Sequence, residues 1–318
     1  MIHVRKQKTV IILFVVWLAA TALFFAAESA GYSVPPIAEG AFAGLLSAYL
    51  PVVFLAVFVL LYLTRKRHRI DWATLYAVKK ETAATEAWIA VGYLVVTQFI
   101  LGYILNTGLH FPGPDVYETG SHGQVDVWVW AFTYFAVYVV LPLGWLKSKG
   151  FSTVKLLTSL HWRRDVWILV AYWAMDFFGP ILTGADFFGL TASQYALGIP
   201  LGVFVNTLGA GLPVVVMMHI IFIPRIAVLV DNKLTVIALG GLYYAIFSMF
   251  DQGVDYSSLD VALMSTLYIV MTQMLVGMGK AAFTVVTGNP FIHFVTLHVL
   301  SARVPFDTKM YVEIFRVK

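Results

Sequence analysis

Few side chains in this chain are equipped for chemistry, and most of them stand inside apolar runs. Asp176 lies in Tyr172-Trp173-Ala174-Met175-Asp176-Phe177-Phe178 and is the deepest acid of the sequence. A carboxylate at such a depth acts as a ligand, as a proton site or as a polar contact between helices. Asn206 and His219 share one later apolar run, with Arg225 just beyond it. Phe247 and Asp251 close another, and His293 and His298 stand near the C-terminal end. Neutral imidazoles and a carboxylate form a donor set for zinc, which makes His219, Asp251 and His298 the metal candidates. His293 and His298 are five residues apart, which on an α-helix is about 140° and not one face. Haem is disfavoured: it needs two histidines at matched depth, and His219 and His298 lie toward opposite ends of their segments. The chain has no cysteine, so thiolate nucleophiles and Cys-ligated metals are excluded. It also has no His-Glu-x-x-His and no Gly-x-Ser-x-Gly, the signatures of zincins and hydrolase elbows.

The elements that position these residues follow from composition. Of 318 residues, 60% are hydrophobic and 12% charged, against about 25% charged in ordinary soluble domains. That balance excludes a soluble enzyme, a disordered chain and a nucleic-acid-binding domain, despite a net charge of +4. The expected fold class is all-α, a polytopic integral membrane protein. A transmembrane helix takes about 20 apolar residues. Candidate spans fall at 9–28, 41–64, 87–105, 127–146, 166–184, 196–218, 234–250 and 261–286, with a shorter apolar stretch at 289–303. The predicted count is therefore eight or nine. The first apolar run lacks a small-x-small cleavage site and reads as a retained span.

Charge alternates between the connecting segments. Segments 1–8, 65–86, 147–165 and 219–233 carry Lys and Arg, and Lys280 is grouped with them. Segments 29–40, 106–126, 184–195 and 251–260 carry none. The positive-inside rule places the basic side, with the N-terminus, in the cytoplasm, and a prokaryotic cytoplasmic membrane is the expected location. Segments 65–86 and 147–165 mix basic and apolar residues, Trp72 and Trp162 among them, and read as amphipathic interfacial helices.

From about residue 150 onward the order of features resembles the CPBP family of intramembrane proteins, the CAAX-prenyl-protease and bacteriocin-processing group. Thr287-Gly288-Asn289-Pro290 and the following stretch to His298 is similar to its third motif region. Pro213 to Arg225 is similar to the first, and Leu242 to Asp251 to the second. Arg225 matches the Arg of Glu-Glu-x-x-x-Arg, while Ile220 and Ile221 occupy the two Glu positions. Phe247 matches the Phe of Phe-x-x-x-His, whose His position holds Asp251. His298 keeps the third motif's His, and Ala302 stands at its Asn partner.

The resemblance implies an N-terminal transmembrane part over 1–146 and a CPBP-like core over 147–318. In that family a Glu activates water while histidines hold metal or polarise the substrate. Without the Glu the implied protein is a proteolytically inactive pseudoenzyme, acting as a scaffold, a partner subunit or a binder of lipid, prenyl group or peptide. Membrane lipid and other membrane subunits are the expected partners. The alternatives are an accessory subunit of a larger redox, oxygenase or transport complex, and an active metal-dependent enzyme built on His219, Asp251 and His298.

Overall fold

The computed structural model describes residues 2–32, 55, 57–67, 70–111, 123–176, 189–251, 254–299 and 303–318. The side chains of residues 2–10, 175–176, 303 and 305–307 lie outside the described set. Among the described residues every regular element is a helix. Among these described residues five helices are long and apolar enough to cross a membrane: Ile11–Ser29, Lys80–Ile104, Gln124–Ser148, Ala192–Leu229 and Leu259–Thr287. At 1.5 Å per residue, 25 residues reach about 37 Å, more than the roughly 30 Å of hydrocarbon. The apolar helix Lys233–Phe247 is shorter, at 15 residues. Of the expected spans at 41–64 and 166–184, residues 55 and 57–64 and the helix Trp162–Asp176 are described, and the remainders lie outside the described residues.

Local chemistry sets the helix ends. Thr191 caps the 192–229 helix in a reciprocal pair with Gln194, satisfying two of the first-turn N–H groups. Asn232 accepts from the N–H groups of Leu234 and Thr235. Gly288, at φ +73°, ends the 259–287 helix in the left-handed conformation that glycine tolerates best, and its N–H donates to Thr284.

Three expectations about the basic segments change. The helix expected to stop near His219 continues to Leu229, so 219–233 is not a basic loop. Only residues 230–232 separate it from the next helix. Arg225 belongs to the helix and is buried, because its charge is met inside the protein. Lys280, grouped with the connecting segments, likewise lies within Leu259–Thr287 and is 4% exposed. Finally, 65–86 is not one interfacial helix. It holds the short helix Trp72–Tyr76, capped by Asp71 and ended by Ala77 at φ 52°, and then enters the long helix at Lys80.

The chain forms two compact units, each discontinuous in sequence. The first comprises Met1–Leu109 and Met218–Gly288, the second His110–Met217 and Asn289–Lys318. In the first, the N-terminal helix lies on Leu259–Thr287. Trp17 Nε1 donates to the Met271 carbonyl at 3.1 Å, and Phe24 packs against Met264 and Met271. Lys233–Phe247 runs against Leu259–Thr287 at very short range: a Cβ on Gly277 would lie 2.4 Å from the Cβ of Tyr244. Small residues permit this approach, the usual means of helix association in lipid. In the second unit, Arg303–Phe315 packs along the start of the 192–229 helix, and Gly209 admits the ring of Trp130.

Candidate functional site

The first unit gathers most of the buried ionisable groups near one set of helix ends. Glu86 sits one and a half turns into the 80–104 helix, on a buried stripe with Ala83, Ala87, Ala90, Leu94 and Gln98. Its Oε2 accepts from Arg225 Nε at 3.1 Å and its Oε1 from Thr82 Oγ1 at 3.0 Å. Arg225 Nη1 donates to the carbonyls of Ile220 and Ile221, at 3.2 and 3.0 Å. The first of these bonds has a backbone cause. Pro224 has no N–H to offer the carbonyl four residues earlier, which is that of Ile220, and the neighbouring guanidinium meets it instead. Residues Val215–Phe222 form a π-helical stretch, a wider turn whose carbonyls depart from the α ladder.

His219 and Lys280 continue the cluster. His219 Nδ1 is 2.7 Å from Thr284 Oγ1. Lys280 and Thr284 are four residues apart on one helix and so share a face. Lys280 Nζ donates to Tyr244 OH at 2.5 Å and stands 4.2 Å from that ring's centroid. Tyr243, stacked on Phe222 at 4.2 Å, donates its hydroxyl to the Ala90 carbonyl. From the ends at Lys80, Leu229 and Thr287, the groups of Glu86, Arg225, His219 and Lys280 lie within about 15 Å of rise. Their partners tie together the helices 80–104, 192–229, 233–247 and 259–287.

Phe247 and Asp251 belong to the same unit. Phe247 is fully buried at the end of its helix. Asp251, 6% exposed, comes after it, and its backbone runs so close to Gly108 that a Cβ there would meet the Asp251 Cα at 2.4 Å. Tyr256, in the connection before the 259–287 helix, donates its hydroxyl to the Met249 carbonyl at 2.5 Å. Burial pushes that hydroxyl's pKa up to about 12, with the Asp251 charge adding and a hydrogen bond with Thr266 opposing. Tyr76 is raised by burial also, and its hydroxyl donates to the Gly288 carbonyl at 2.9 Å.

The second unit holds the remaining candidates. Asn206 Oδ1 accepts from Tyr311 OH at 2.8 Å. Both residues line a cavity of about 10 Å³ with His298, Leu297 and Gly202, room for a single water. His293 and His298 have ring centroids 6.0 Å apart, nearly perpendicular at 86°. The α-helical spacing that parts them does not apply, because Val295–Val299 is π-helical. A π-turn bonds residue i to i+5 and so brings residues five apart onto one face. His293 Nδ1 lies 3.3 Å from the Pro290 carbonyl. Asp176 is the last described residue of the helix Trp162–Asp176, and its side chain lies outside the described residues.

Of the three metal candidates, His219 and Asp251 belong to the first unit and His298 to the second. Among the described residues no three His, Asp or Glu side chains are gathered as a metal ion needs. Sequence reasoning passed over Glu86, Tyr244, Lys280 and Thr284. For Glu86 the signal was present, since it lies in register with alanines at helical spacing beside an apolar span. For Lys280 it was a lone cation inside an otherwise apolar run. Comparison with protein-family models, with curated proteins and with solved structures finds no match to this chain.

Proposed function

We propose that the protein is a multi-pass membrane scaffold or partner subunit, built on a CPBP-like core without peptidase chemistry. The observation that carries this reading is the environment of Arg225. The residue at the family's retained Arg position donates to the carbonyls of Ile220 and Ile221, where the family has its two acids, and to Glu86 of another helix. A carboxylate whose two oxygens are taken by Arg225 and Thr82 serves to hold helices together and is poorly placed as a general base. The desolvation of a buried ion pair offsets much of its Coulombic gain, while removing one partner alone is strongly destabilising. In this reading the chain crosses the membrane eight or nine times, with its N-terminus in the cytoplasm of a prokaryotic cell.

The test is purification of tagged full-length protein in mild detergent, with native mass and peptidase activity measured together. A stable stoichiometric complex, with no cleavage of membrane-embedded peptides, is the expected result. A free 35.3 kDa monomer, or cleavage abolished by His219→Ala, overturns the reading.

A further inference from the structure

The stretch from Lys147 to Arg164 contains five cations, Lys147, Lys149, Lys155, Arg163 and Arg164, and no Asp or Glu. All five are exposed. The next residue is the acid Asp165, and it turns inward: it is 1% exposed and accepts from Asn289 Nδ2 at 2.8 Å. Between the cations lies the short helix Thr153–Ser159, started by Ser152, whose hydroxyl accepts from the Lys155 N–H. Leu156 and Phe151 fasten it to the unit, while Val154 and Leu157 point outward at 70% and 41% exposure. Aromatic rings stand at both ends: Lys149 Nζ is 6.0 Å from the Trp145 ring, and Trp167 is 69% exposed.

Exposed cations interleaved with exposed Val, Leu and Trp match the headgroup layer of an anionic membrane, where charge meets phosphate and the apolar side chains meet the acyl boundary. We propose that residues 145–167 form a binding surface for anionic phospholipid. Lys147, Lys149, Lys155, Arg163 and Arg164 take the phosphodiester headgroups, and Val154 and Leu157 enter the acyl boundary. Inorganic phosphate offers the charge but nothing for Val154 and Leu157, so the ligand is lipid.

The experiment is native mass spectrometry of the full-length protein in detergent, titrated with the anionic lipid POPG or the zwitterionic lipid POPC. The wild type is expected to retain POPG in preference to POPC. Lys147→Gln, Lys149→Gln and Lys155→Gln are each expected to weaken POPG retention about fivefold, the effect of one basic side chain at an anionic surface. Lys309→Gln and Lys318→Gln, exposed lysines elsewhere in the same unit, are expected to leave it unchanged. Inorganic phosphate is expected to compete no better than sulfate at equal ionic strength. Equal retention of POPG and POPC by the wild type overturns the proposal without any variant. So does a loss in the two control variants as large as in the three at the surface, or specific displacement by phosphate.

Discussion

At the scale of single residues the pair Glu86–Arg225 carries the most consequence. Its side chains are 9% and 2% exposed, so removing one partner strands a charge away from water. Glu86→Ala is expected to destabilise the protein by about 3–5 kcal/mol, and the double change Glu86→Leu with Arg225→Met by much less, because no charge is left behind. Unfolding of the purified variants in detergent measures both. A loss in the double variant equal to the sum of the losses in Glu86→Leu and Arg225→Met alone would show that the pair is not coupled. Tyr256 gives a prediction in pH. Its folded pKa, about 12, lies above the ordinary 10.0. Between those values the folded protein keeps a proton that the unfolded chain has lost. The stability this provides is complete below pH 10 and is lost as pH rises toward 12. Tyr256→Phe is expected to flatten that decline, read as unfolding temperature against pH.

At the scale of elements, the contact between Lys233–Phe247 and Leu259–Thr287 separates two glycines that look alike in sequence. A methyl on Gly277 would meet Tyr244 Cβ at 2.4 Å and the Gly241 carbonyl at 2.9 Å, whereas one on Gly279 meets nothing within 4 Å. Gly277→Ala is expected to cost about 1–3 kcal/mol through overpacking. Gly279→Ala is expected to be neutral or to stabilise by up to about 1 kcal/mol through helix propensity. Thermal unfolding of the two variants side by side decides this. Helix existence was legible because apolar runs of span length leave few alternatives. Helix ends were less so: Arg225 looked like a loop residue because its partner, Glu86, lies 139 residues away. The relation of His293 to His298 was misread for a different reason, since periodicity assumes an α-turn and residues Val295–Val299 do not make one.

At the scale of the whole molecule the absence of cysteine permits a direct test of orientation. Gln124 and Ser148 end one helix of 25 residues, about 36 Å apart. With the basic side cytoplasmic, a membrane-impermeant maleimide added outside intact cells is expected to label Gln124→Cys and not Ser148→Cys. The reverse pattern would invert the topology. Membrane character was legible from composition alone. The division into two units was not, because each is assembled from stretches far apart in the chain, and apolar residues of one helix carry no mark of which neighbour they will meet.

The π-helical stretches at 100–104, 136–140, 207–211, 215–222 and 295–299 bear on the ancestry of the chain. Each wide turn accommodates roughly one extra residue, so losing a single residue there would rewind the coil to an α-turn without the swing of about 100° that a deletion in a plain α-helix gives the downstream side chains. Counting positions is therefore an unreliable ruler of kinship for this protein. A true cousin lacking one such turn would carry its signature residues a single step out of phase, yet aim them in the same direction.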